Sequence, residues 1–343
     1  MALPVGSIAD AVVKSPFAHT GYAEGVSRNL AVFNQLSNGT IRLMDPVNRP
    51  GYVSDLITFG TFEGFATRHK VASGGVLASA DVKKMVDIQE RAIKLNHKIV
   101  VYQDEQFFKK GASGLQGGAD ELRPLLEQNF VGAALTVQVN DAINAAVAAI
   151  RSQATNVKDV VTGAASAGVT KITPDYLNDT LAKLGDQRGR IRCLVMHSES
   201  YRQLIGNALG ASVTGISDFT LREGIPQTFG IPTLVTDAPG LTSTSWVSSA
   251  ASSAEYAVLA LVENAVQLTV TEEYMLDITK LTGQEIPSYE MFGRWAHELR
   301  IKGLSWKTSS ADNPTSAALG TTTNWELKAT SYKTVAGAVL IHG

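Results

Sequence analysis

The sequence predicts a mixed α+β fold, and three observations predict it. A long amphipathic helix is readable over residues 120–152, helices alternate with short apolar strands between about 160 and 270, and residues 93–101, 294–302, 325–331 and 335–341 read as strands.

The helix carries Leu122, Leu126, Phe130, Ala133 and Val137 at three- and four-residue spacing, and Ile143, Val147 and Ile150 resume the stripe. Pro124 suits its first turn, where a missing N–H costs nothing. At about 1.5 Å per residue it spans roughly 45 Å, a spine rather than a core filler. The Gly114–Gly118 stretch before it lacks the Lys-Ser or Lys-Thr that completes a phosphate-binding loop, so it reads as a hinge. A Gly/Ala/Ser/Thr-rich linker, Thr155 to Thr170, follows the helix.

The alternating region begins with a well-punctuated helix: Thr173 as N-cap, Pro174 at the first position, Leu177, Leu181 and Leu184 as the stripe, and Gly185 as the stop. A strand from Arg190 to Met196 leads into a helix starting near Ser198 and carrying Tyr201, Leu204 and Ile205. Further strands are expected at Ile231–Asp237, Tyr256–Val262 and Gln267–Thr271. After these come a strand from Arg294 to Lys302, a polar turn from Thr308 to Asn324, and two last strands, Trp325–Ser331 and Val335–Ile341.

The first hundred residues read differently. Residues 1–50 form an arm whose apolar clusters are broken by Gly21, Gly25, Gly39, Pro46 and Pro50. Residues 51–104 form a long β excursion that returns through Ile93, Leu95, His97, Ile99 and Val101 at the strand period of two. Its middle, residues 81–93, also fits a short helix through Val82, Met85, Val86 and Gln89. A two-stranded arm is marginal alone in water, so its apolar side chains need a partner surface. Leu56, Ile57, Phe59, Phe62, Phe65, Ile93 and Leu95 are therefore the candidate inter-subunit contacts.

Bulk properties narrow the function. The 343 residues are 44% hydrophobic and 18% charged, the balance of a folded chain, and a formal charge of −2 offers no basic excess for gripping nucleic acid. Cys193 is the single cysteine, so an intrachain disulfide and a cysteine-rich zinc site are excluded, and its apolar surroundings make it a buried inert thiol. Residues 1–4 do not resemble a secretory signal, and no run of about 18 apolar residues suggests a membrane span. The expectation is synthesis and folding in a reducing cytoplasm.

A search for chemistry returns no site. None of the six histidines forms a His-x-x-x-His pair, and Gly-x-Gly-x-x-Gly does not occur. His197-Ser198-Glu199-Ser200 has the placement of a nucleophile elbow but lacks its flanking glycines, and Ser198 as an ordinary N-cap explains the same residues. Glu272 and Glu273 are adjacent on a strand and so point to opposite faces. No catalytic, cofactor-binding or metal-ligating residue is assigned.

The order of elements resembles the tailed-bacteriophage major capsid proteins of the Hong Kong 97 fold. Arg192 to Leu204 is similar to the strand and helix of that family's A-domain, and Phe229 to Asp237 to the strand that follows. The close is the most specific part: Lys302-Gly303-Leu304-Ser305-Trp306, Asn313-Pro314-Thr315, Leu319, Asn324-Trp325-Glu326-Leu327 and Lys333. The resemblance implies an N-terminal arm at 1–50, an E-loop at 51–104, a P-domain with the spine helix at 105–160, an A-domain at 161–284, and returning P-domain strands at 285–343. It implies a non-enzymatic protein that assembles with itself into hexamers and pentamers of an icosahedral shell, localised to the virion. A separate scaffolding protein, a portal protein, room for a decoration protein and weak non-specific contact with packaged DNA are also implied, with no cofactor and no membrane. Some relatives join an E-loop lysine to a neighbouring asparagine; Lys70, Lys83, Lys84, Lys94 and Lys98 lie in or near this excursion but are expected to be solvated charges. The rival readings are an encapsulin-like compartment shell, a ring-forming tail or adaptor protein, and an α/β hydrolase using Ser198.

Overall fold

One helix, α1 (Ala119–Arg151), organises the architecture. Its 33 residues make it about 50 Å long, close to the expected spine. The computed structural model describes residues 37–44, 53–59, 87–104, 119–161, 171–213, 227–246, 254–281 and 288–343.

A long sheet runs along the N-terminal half of α1. It is built from β1 (Ile41–Met44), β2 (Val53–Phe59), β3 (Asp87–Asp104), and, far later in the chain, β10 (Val266–Leu281), β11 (Ser288–Ile301), β12 (Leu304–Trp306) and β13 (Trp325–Leu327). β11 lies between β10 and β3, antiparallel to both, and β1 joins β10 in parallel. β2 pairs with β3 over Val53↔Ile93 to Phe59↔Asp87. The β excursion is thus only partly an excursion. From Ile93 to Asp104 its return strand is bound to β11. Residues 87–93 are strand and not helix, because their amides join the β2 ladder.

The second sheet runs β4 (Val157–Asp159), β14 (Gly337–His342), β9 (Glu255–Val262), β5 (Ile191–Met196), β7 (Ile231–Val235) and β6 (Gln227–Thr228), with β8 (Thr242–Ser243) paired to β9. It is mixed: β14 is parallel to β4 and β5 to β7, while β9 is antiparallel to both β14 and β5. The sheets do not follow the boundaries expected from sequence. β10 leaves the alternating region for the long sheet, and the final strand enters the second sheet.

The helices begin and stop for local reasons. In α2 (Pro174–Ala182) the Thr173 side chain accepts the Tyr176 N–H, and Gly185 terminates the turn in the left-handed region at φ +55°. α3 (Ser198–Val213) starts otherwise than expected. Its first amides go to neighbours: the Glu199 N–H donates to His197 Nδ1, and the Ser198 N–H to Asp237. The imidazole and a carboxylate from across the sheet do the capping assigned to the Ser198 hydroxyl. The polar turn at 308–324 contains a short helix, α4 (Ser316–Leu319), capped by Thr315.

The main core joins both sheets through α1. Ala142, Ile143, Ala145 to Ile150, Leu194, Leu259 and Leu340 are all buried in it. A single apolar stripe describes α1 only in its first half. From Ala142 to Ile150 every side chain except Asn144 is buried, so the alanines let chain pack on all sides of the helix. Asn144 fits between Gly240 and Gly320, and its amide donates to the Ser316 carbonyl at 2.6 Å. Residues 132–151 are apolar enough to cross a membrane by length and composition, but 61% of that stretch is buried inside the fold, which accounts for its hydropathy.

Candidate assembly surface and buried polar clusters

Strand alternation sorts the distal part of the long sheet into two faces. One face meets α1: Ile99, Val101, Met291, Gly293 and Leu276 line an apolar cleft with Asn129, Phe130 and Ala133 of the helix. The opposite face has no helix over it among the described residues. Val100 sits directly across from Phe292, and Lys98, Arg294 and Met275 form the next row. Val100 is 38% exposed, Phe292 39% and Met275 48%. Large apolar groups standing in adjacent rows of one open face, rimmed by Lys98, Arg294 and Asp277, form a patch suited to covering by protein.

The predicted contact residues divide. Leu56 on β2 is exposed. Ile57 and Phe59 lie on β2 with their side chains outside the described residues, as are Phe62 and Phe65 altogether. Ile93 and Leu95 are corrected. At 0% and 1% exposure they belong to the subunit's own core, because their side of β3 turns inward beneath α1 and beside β11. Val100, Phe292 and Met275 were missed in sequence. The signal lay in Val100, a hydrophobic residue on the polar phase of the β3 alternation.

The Ser198 constellation is not assembled as a relay. His197 faces Asp237 at 3.4 Å and caps α3 with its other nitrogen. Hydrogen bonds from Ser198 hold Asp237 below the ordinary carboxylate range. The serine–histidine pair that does form is Ser200 with His342, at 2.8 Å between Oγ and Nε2, and both residues are fully buried. Burial pushes His342 down to about 4. Cys193 is buried as expected, its thiol pushed up to about 11 by desolvation.

A second polar cluster lies between α1 and the long sheet. His97 of β3 stacks on Trp295 and on His297 of β11, with centroid separations of 5.1 and 5.0 Å. Asp141 descends from α1 to within 3.4 Å of His97 Nε2. Burial, with His97 adding to it, holds His297 down to about 3, and burial raises Asp141 to about 6 against a hydrogen bond from Ser316. No sequence motif links these residues, which lie on β3, β11 and α1.

No curated protein sequence matches the chain. Among solved structures, the capsid asymmetric unit of cyanophage Pam1 superposes with a TM-score of 0.53 at 10% identity, covering 86% of each chain. The capsid of Ralstonia phage GP4 gives 0.50 at 10% identity over 78% of this chain and 84% of that one. The acid-stable capsid of Helicobacter pylori bacteriophage KHP30 gives 0.50 at 10% identity over 89% and 88%. At such identities the likeness speaks for the fold, which is that of Hong Kong 97-type capsid proteins. Residues 10–339 match the Gp13-like family, described as major capsid protein 13-like, so this chain belongs to that family of major capsid proteins, whose members form the capsid of the virion.

Proposed function

We propose that copies of this chain join as hexamers and pentamers into a closed icosahedral shell around packaged DNA, and that the open face of the distal long sheet is one of its joints. The observation that carries the second part is the pair of adjacent rows bearing Val100, Phe292 and Met275 on a face that meets no helix among the described residues. Contacts between unlike surfaces close into rings, as a shell of capsomers requires. The role is structural: the buried Ser200–His342 pair has no access for a substrate, and Ser198 Oγ serves Asp237. A scaffolding protein and a portal protein are the expected partners. The formal charge of −2 fits a shell that contacts DNA weakly and releases it.

The test is Phe292→Ser. Covering half of an already half-buried ring is worth about 1 kcal/mol, roughly fivefold per repeated contact. The variant subunit should melt as the parent does, while shell yield in the presence of scaffold falls sharply. Normal yield would remove this face from the joints. A parent chain that stays monomeric with scaffold present would remove the shell itself, and particles filled with a protein cargo instead of DNA would favour a compartment.

A further inference from the structure

The stripe of α1 that faces the long sheet runs Phe130, Ala134, Gln138, Asp141. It is apolar where it meets Trp295 and turns polar where it passes the histidines. Three ligating groups from three elements converge there: His97 of β3, His297 of β11 and Asp141 of α1, with donor atoms all within 4.8 Å of one another. His297 is 0% exposed, and neither of its ring nitrogens has a hydrogen-bond partner among the described residues. Nor has Nε2 of His97, whose distance to the Asp141 carboxylate, 3.4 Å, is an ion-pair contact and too long for a good hydrogen bond. Fully buried polar nitrogens normally find partners, because a bare one has given up its bonds to water and gained none in return. Three unpaired imidazole nitrogens on two stacked rings beside a buried carboxylate are costly unless something else joins them.

We propose that His97, His297 and Asp141 bind a divalent transition-metal ion, zinc being the best fit, which fastens the spine helix to the long sheet. Two imidazoles and one carboxylate are a donor set suited to zinc, cobalt or nickel and poorly suited to magnesium or calcium, which take oxygen ligands. A tetrahedral zinc with bonds of about 2.1 Å places its ligand atoms about 3.4 Å apart, the separation already present between His97 and Asp141. Rotation of the His297 ring toward that pair brings the third donor in. The fourth position is left to a solvent oxygen, and the 21% exposure of the His97 side chain offers the way in. The metal would sit where β3, β11 and α1 meet, tying residues separated by 44 and 156 positions along the chain (97 to 141, and 141 to 297).

The purified full chain, stripped with a chelator, is titrated with Zn²⁺ by calorimetry and with Co²⁺ by visible absorption. The expected result is about one ion per chain, an intense low-coordinate cobalt spectrum, and a melting temperature raised by about 4 °C at zinc a hundredfold above its Kd. Asp141→Asn and His97→Gln should each weaken zinc binding by about 100-fold or more, while His197→Ala, at the distant α3 cap, should leave it unchanged. The unaltered chain decides even if a variant fails to fold. A weak octahedral cobalt spectrum, or no stoichiometric zinc, overturns the proposal. Folded variants that bind zinc as tightly as the parent overturn it equally.

Discussion

The ring of Phe130 occupies the space in which a side chain at position 293 would begin: a methyl group on Gly293 would fall within 3.0 Å of ring atoms Cε2, Cζ and Cδ2. The glycine lets α1 approach the sheet, and Trp295, edge-on to Phe130 at 5.4 Å, closes the other side. Gly293→Ala should therefore cost about 1–3 kcal/mol by overpacking. Phe130→Ala alone should cost about 3–5 kcal/mol. In the double variant the methyl group enters the space the ring has left, so denaturant unfolding should give a loss clearly smaller than the sum. Simple additivity would mean the two residues do not share this space.

Acid should weaken the second sheet through His342. Burial depresses its pKa from 6.5 to about 4, so the folded state resists a proton that the unfolded state takes. The stability tied to this neutral form is complete above about pH 6.5 and is lost as pH falls toward 4, by about 3 kcal/mol at most. Ser200, Tyr256 and the Gly343 carbonyl face the ring, and the Glu199 charge opposes the shift only in part. In urea unfolding at pH 5 and pH 7, His342→Asn should flatten the pH slope relative to the parent. Equal slopes would show that His342 does not carry this dependence.

Asn156 is fully buried, and its amide donates to the carbonyls of Tyr332 and Gly337, both at 2.9 Å. Asn156→Ala leaves two carbonyls without that donor in the interior and should cost about 2–3 kcal/mol. Thermal melting of the subunit reads this directly, and a change under about 0.5 kcal/mol would contradict it.

The lattice should be held without covalent links. Lys94 Nζ lies 2.8 Å from Glu272 and its side chain is only 10% exposed, so it is engaged within the subunit, whereas Lys98 is a solvated charge on the open face. Lys70, Lys83 and Lys84 lie outside the described residues. Mature particles boiled in detergent should run as a single band at the mass of one subunit. A ladder of multiples would show the opposite.

Local signals in the sequence proved reliable where local physics decides. The Thr173-Pro174 start of α2, the Gly185 stop and the two ends of α1 were readable because caps and periodicity act within one turn. The α3 cap was misread because the atoms that satisfy its amides include Asp237, thirty-nine residues beyond Ser198. Ile93 and Leu95 were placed outward because alternation reveals two faces without saying which is wet, and that depends on α1 and β11. The cluster of His97, Asp141 and His297 left no motif, since no two of its members lie on the same element. Strand pairing between distant segments also explains why β10 and β14 crossed the expected boundaries.

The place of β14 sets the order in which the chain can finish folding. Residues 337–342 lie inside the second sheet, parallel to β4 on one side and antiparallel to β9 on the other. The facing edges of β4 and β9 therefore stay open until residues 337–342 have been made and have paired with both. Pairings this remote in sequence close slowly, and open strand edges attract other chains in the meantime. The second sheet becomes continuous only when β14 has filled that gap.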